Sequence, residues 1–226
     1  MASRNHARVA IVTSRRLAPP VRPRLIAALL LSVLAGAAAA RVPRVHPCRV
    51  REQVFLSPAG APFRSGPDAP APVAAWFSKA DGDGDGRLTL AEWQADGARF
   101  FATVDGDGSG EIILDELARY ERVVAPEISI YDDYAPSRSR RPPVYGSPIG
   151  GARYALTNVP NPIAAADLDM NRGTMRAELL AATARAFATI AKGRGALALA
   201  DLPATPQAAL LAACAARAAK ANGGRR

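Results

Sequence analysis

The chain has 226 residues, a net charge of +9 and only 6% aromatic residues, which suits one or two small domains with a helical core and argues against a broad sheet. The basic excess is not a nucleic-acid footprint: residues 1–40 carry six Arg and no acid, and the remainder holds 23 basic against 20 acidic residues. Beyond residue 40 there is a single histidine, His46, and no Ser/His/Asp or Cys/His set on regular structure, so the chain is read as no enzyme. In chain order, residues 1–40 are predicted to be a signal peptide. Arg22 and Arg24 precede the 16-residue run LIAALLLSVLAGAAAA, and Ala38, Ala39 and Ala40 fit the small-residue cleavage rule. An exported protein, periplasmic or secreted, is expected, with a membrane contact only if this segment stays uncleaved.

Residues 41–70 are rich in Pro, Arg and Gly and are expected to be disordered. They contain Cys48. The other cysteine, Cys214, falls in an Ala-rich helix, and sequence separation leaves their pairing open. Residues 71–124 alternate apolar groups with Asp/Gly loops. The first loop, DGDGDGRLTLAE, sets Asp81, Asp83 and Asp85 at positions 1, 3 and 5 and Gly86 at position 6. Arg87 offers its backbone carbonyl at position 7, Thr89 stands at 9, and Glu92 closes at 12 with two oxygens. Carboxylates crowded this closely repel, and the count of oxygens suits a hard cation, Ca2+ rather than the smaller Mg2+.

The pattern recurs 24 residues later in DGDGSGEIILDE: Asp105, Asp107 and Ser109 at positions 1, 3 and 5, Glu111 offering its carbonyl at 7, and Glu116 at 12. Ile113 at position 9 offers no ligand. Apolar Val73, Trp76, Phe77 and Ala80 precede the first loop at helical spacing, and Phe100, Phe101 and Val104 precede the second in the same register. Leu88 and Ile112, both at position 8, are expected to face each other in a short two-stranded bridge.

Residues 125–158 read as a Pro/Arg-rich linker. A weaker third loop, DLDMNRGTMRAE, follows with Asp167, Asp169, Asn171 and Glu178 at positions 1, 3, 5 and 12, after Val159, Ile163 and Ala166 at helical spacing. Arg172 stands where the turn wants Gly, at a cost of about 1–2 kcal/mol for a left-handed residue. A fourth loop keeps the shape without ligands: Gly195, Leu197 and Asp201 align with positions 6, 8 and 12, but Lys192 and Arg194 stand where acids belong. Thr205 caps a last helix that begins at Pro206.

The two intact loops and their flanks resemble the EF-hand calcium-binding family, in the style of bacterial exported EF-hand domain proteins, over residues 71–124. The resemblance implies helix–loop–helix units used in pairs with calcium at each loop. The expected fold is all-α: an intact pair at 71–124, the linker at 125–158, a degenerate pair at 159–204, and a C-terminal helix and tail at 205–226. Two calcium ions are expected per chain, or three if the third loop binds. The expected role is a calcium buffer or a calcium-stabilised structural or interaction module. A sensor that exposes a partner groove is the alternative, disfavoured because only Met170 and Met175 follow residue 40. A dockerin-like adhesion module ranks lower, since entering helices and closing Glu residues are both present. No protein partner is indicated.

Overall fold

The structure, a computed structural model, describes residues 50–129 and 147–223, all within one structural unit. Its first element corrects the expectation of disorder before residue 70. Strand β1 (Gln53–Leu56) pairs antiparallel with β2 (Pro62–Ser65). Alternation along β1 sends Phe55 to one apolar core and Leu56 to another. The connecting turn is closed by Ser57, whose backbone N–H donates to the Ala61 carbonyl at 2.9 Å and whose hydroxyl accepts from Ala61 N–H at 3.0 Å. Gly60 in that turn has φ +100°, and an added Cβ would stand 2.5 Å from the Tyr120 hydroxyl, so only glycine suits the position.

Helix α1 (Pro72–Ala80) starts on proline, whose missing N–H costs nothing there, and buries Trp76, Phe77 and Ala80. It ends at Asp81, where the first Asp/Gly loop takes over. Strand β3 (Arg87–Thr89) leads into α2 (Leu90–Val104), which ends in turn at Asp105. Strand β4 (Glu111–Ile112) and α3 (Leu114–Arg119) follow, and the chain continues through a π-helical turn, Tyr120–Val124. The third loop carries β5 (Thr174–Met175) and runs into α4 (Arg176–Ala191), followed by β6 (Ala196–Ala198) and finally α5 (Pro206–Gly223). As expected, Thr205 caps α5: its hydroxyl accepts from Ala208 N–H at 3.2 Å.

The all-α expectation is overturned. Helix makes up about 52% of the described residues, and 12% are strand in three two-stranded antiparallel sheets, so the fold is mixed. The strands arise because each loop runs extended for two or three residues just before its exit helix, and the hairpin adds a third sheet.

The pairing of loops is also corrected. Leu88 does not face Ile112. It faces Leu197 across β3–β6, while Ile112 faces Thr174 across β4–β5. The first loop thus pairs with the fourth and the second with the third. The reason is the 24-residue spacing. It leaves room for one helix between the first two loops, and α2, with 15 residues, sets them about 22 Å apart along its axis. Helix α4 separates the third and fourth loops in the same way. The two helices pack together: the Trp93 indole N–H donates to the Thr183 carbonyl at 3.0 Å, and Gly97 lies against Leu180 and Thr183. Two sequential pairs are therefore replaced by two nested ones, at the two ends of an α2–α4 couple.

A core sits under each pair. Beneath the first and fourth loops, Phe55, Trp76, Trp93 and Phe187 form a chain of rings with centroids 5.1, 5.2 and 5.4 Å apart. Tilted and edge-on pairs of this kind add about 0.5–1.5 kcal/mol each beyond area burial. Beneath the second and third loops lie Leu56, Phe100, Phe101, Ile112, Tyr120, Ile163 and Leu179. Burial pushes the Tyr120 phenol well above its ordinary pKa, and its O–H donates to the Gly60 carbonyl at 2.9 Å.

The linker expectation needs correction at both ends. Ala125, Ile128, Ala152 and Ala155 are buried, and a Cβ on Gly151 would stand 2.7 Å from the Pro160 carbonyl. The middle of the expected linker, 130–146, lies outside the described residues, as do the expected signal peptide, His46 and Cys48. Cys214 is buried on α5 and disulfide-bonded. No helix among the described residues is long and apolar enough to cross a membrane.

Candidate metal centre

The first loop is shaped by its own acids. Asp81 receives the backbone N–H groups of Gly84 and Gly86, both at 2.9 Å, on its two oxygens. Asp83 accepts from Asp85 N–H at 3.1 Å, and Asp85 from Arg87 N–H at 2.7 Å. Gly84 and Gly86 both have positive φ, which lets the chain curl around the carboxylates. The result brings one oxygen each of Asp81, Asp83 and Asp85 within 4.8 Å of one another. Arg87 stands at the start of β3 and is exposed.

Glu92 ties the end of the loop to its start. One oxygen accepts from Gly82 N–H at 2.9 Å, the other from Thr89 N–H at 2.9 Å and the Thr89 hydroxyl at 2.8 Å. The Thr89 hydroxyl accepts in return from Glu92 N–H at 3.3 Å, completing a capping box at the start of α2. Donation from the Thr89 N–H and hydroxyl holds the Glu92 carboxyl below its ordinary range. The side chain of Thr89 is thus spent on the helix cap, and sequence reading, which gave it only a ligand role, missed this one. The S/T-x-x-E spacing of Thr89 and Glu92 was the available signal.

The second loop repeats the design with differences. Asp105 accepts from Ser109 and Gly110 N–H groups, both at 3.0 Å, and Asp107 from Ser109 N–H at 2.9 Å. The Ser109 hydroxyl donates to the Glu111 carbonyl at 3.0 Å, and contact with Ser109 holds the Asp107 carboxyl below its usual range. Here the convergent oxygens are those of Asp105, Asp107 and Glu116. Glu116 accepts from Gly106 N–H at 2.6 Å and Ile113 N–H at 3.1 Å, but Ile113 has no hydroxyl to return a cap. The Glu111 side chain reaches across β4–β5 and fills the space beside Gly173 of the third loop, where a Cβ would overlap its carboxylate.

The third loop gathers Asp167, Asp169 and Glu178 within 4.8 Å, the same positions as in the second loop. Asn171 lies beside them, its amide donating to Asp169 at 3.3 Å and its oxygen accepting from Gly173 N–H at 2.8 Å. The expected entering helix is reduced to one 3-10 turn, Ala164–Ala166, because Pro160 and Pro162 block a longer one. Asn161 caps that turn instead, accepting from Ile163 and Ala164 N–H groups at 3.2 Å each. Where the first two loops use Gly at left-handed positions, this one uses Met170 (φ 59°) and Arg172 (φ 75°). Replacing Arg172 with Gly is therefore expected to stabilise the protein by about 1 kcal/mol, read as a higher urea midpoint with an unchanged slope. No gain would mean that the turn carries no strain there.

The donors fit a hard divalent cation. All the convergent groups are carboxylate oxygens, the type that Ca2+ takes in sets of six to eight. In the third loop one further observation points the same way: Asp167 Oδ1 is buried with no hydrogen-bond partner among the described residues. A buried carboxylate oxygen without a partner is costly, and a cation would satisfy it.

Fold and site together define helix–loop–helix units whose acidic loops could hold a metal ion. A family model described as EF hand matches residues 73–95, from α1 through the first loop into α2. Over those residues the chain is similar to an EF hand, the helix–loop–helix unit of a calcium-binding family. No curated protein and no solved structure matches the chain.

Proposed function

We propose that this is an exported calcium-binding protein in which calcium acts as a structural ligand or is buffered, with one ion at the first loop, one at the second and a weaker third at Asp167, Asp169 and Glu178. The observation that carries the reading is the convergence of three carboxylates at each loop, each set beginning at the residue that ends a helical turn. The nested pairing favours a stabilised module over a sensor. Opening a groove requires the two helices of a hand to swing apart, yet α2 is both the exit helix of the first hand and the entering helix of the second, and it is buried against α4. A disulfide at Cys214 supports an oxidising compartment. Outside the cytoplasm calcium is abundant, so affinities of about 10⁻⁴–10⁻³ M suffice.

Calorimetric titration of the purified protein tests this. Two calcium ions are expected, or three with the third loop occupied; one or none removes the second site or the whole reading. Magnesium is expected to bind more weakly, because the loops offer flexible carboxylates rather than a tight octahedron.

A further inference from the structure

The fourth loop, which has no acids at positions 1, 3 and 5, still forms the strand that pairs with the first calcium loop. Something other than metal must close it. Asp201 stands at position 12, where Glu92 stands in the first loop, and makes the same contact: it accepts from Ala198 N–H at 2.9 Å, as Glu92 does from Thr89 N–H. Its other oxygen meets the Arg194 guanidinium at 2.5 Å, and Arg194 is position 5. The same guanidinium donates from Nε to the Ala191 carbonyl at 3.1 Å, which lies at the end of α4. Lys192 (φ 49°) and Gly193 (φ 86°) curl the chain so that the side chain can fold back.

We infer that Arg194 is the resident cation of the fourth loop: its guanidinium joins position 5 to the closing acid Asp201, so that the loop stays shut without metal and presents β6 as a fixed template for β3 of the first loop. The inference rests on the first loop being a calcium site. A fixed positive charge can replace an ion here because a guanidinium supplies several directed donors at once, one to the acid and one to a helix-end carbonyl. The Asp201 carboxyl is held below its ordinary range, by the Ala198 N–H first and the Arg194 charge after it, with Arg87 of the facing strand adding to the effect. Arg87 lies opposite Ala198 in the β3–β6 register, so the first loop's own position 7 also feels the closing acid. Calcium at the first loop therefore meets a partner strand that is already in place.

The test compares wild-type protein with Arg194→Met, Arg194→Lys and Asp201→Asn in the full chain. With chelator present, hydrogen exchange at the amides of β3 and β6 is expected to be about fivefold faster in Arg194→Met, the size of a single directed ion pair, and unchanged at β4 and β5. Arg194→Lys, which keeps charge but loses the fork, falls between. Asp201→Asn gives the same loss as Arg194→Met and replaces it as the readout should that variant not fold. On titration, calcium affinity at the first loop is expected to fall about fivefold, following its strand partner, with the second loop as internal control. Unchanged exchange at β3 and β6, or faster exchange spread equally over β4 and β5, overturns the inference. The metal-free readout stands even if no calcium binds, so its failure is separate from failure of the calcium reading.

Discussion

Replacing Glu92 with Gln is expected to weaken calcium binding at the first loop on the order of 100-fold, equivalent to about 2.7 kcal/mol. Two losses combine. The loop loses one of its four negative charges and its one symmetric two-oxygen group, while size is kept. The amide also fails the local structure. Glu92 accepts from Gly82 N–H on one oxygen and from the Thr89 N–H and hydroxyl on the other, whereas an amide has one oxygen and one donor. One of those N–H groups must then face an NH2. That costs about 1 kcal/mol of stability even without metal, since it undoes half of a capping box. Denaturation in chelator isolates the second loss, and titration with calcium measures their sum. Equal titration curves for both proteins would remove Glu92 from the ligand set.

Replacing Trp93 with Ala is expected to cost about 3–5 kcal/mol, a large share of the 5–15 kcal/mol that holds a typical domain. Trp93 is 2% exposed. It meets Trp76 edge-on at 5.2 Å and Phe187 edge-on at 5.4 Å, and its N–H satisfies the Thr183 carbonyl of α4. Truncation leaves a cavity between α2 and α4 and removes the indole's bond to that helix carbonyl. Urea unfolding followed by circular dichroism measures the cost; a loss under about 1 kcal/mol would mean that the site collapses around the cavity. The chain has only two tryptophans, and both lie in the core of the first and fourth loops. In the variant, Trp76 alone reports that core, and its emission is expected to shift red as calcium is removed. The damage should fall on the first loop's affinity more than on the second's, whose core is built from other residues.

The acidic loops were legible in the sequence because their acids and turn glycines are local. A run of 12 residues contains Asp81, Asp83, Asp85, Gly86 and Glu92, and the hydrogen bonds that shape it span five residues or fewer, apart from the Gly82–Glu92 tie. The helices α1, α2 and α5 were legible for the same reason: periodic apolar residues, a proline start and a Thr cap act within one or two turns. Strain in the third loop was visible at Arg172 but not at Met170, whose left-handed conformation has no motif of its own. The hairpin at 53–65 was hidden by composition, since Pro and Gly serve tight turns as well as disorder, and only burial of Phe55 and Leu56 in two cores holds it. Which loops pair was a tertiary decision. The repeat suggested neighbours in sequence, but a single shared helix holds its two loops at opposite ends, so each must find its partner across α2–α4. Position 8 of every loop could pair with any other by pattern alone. The packing of Trp93, Gly97, Leu180 and Thr183 between the two long helices brings Leu88 to Leu197 and Ile112 to Thr174.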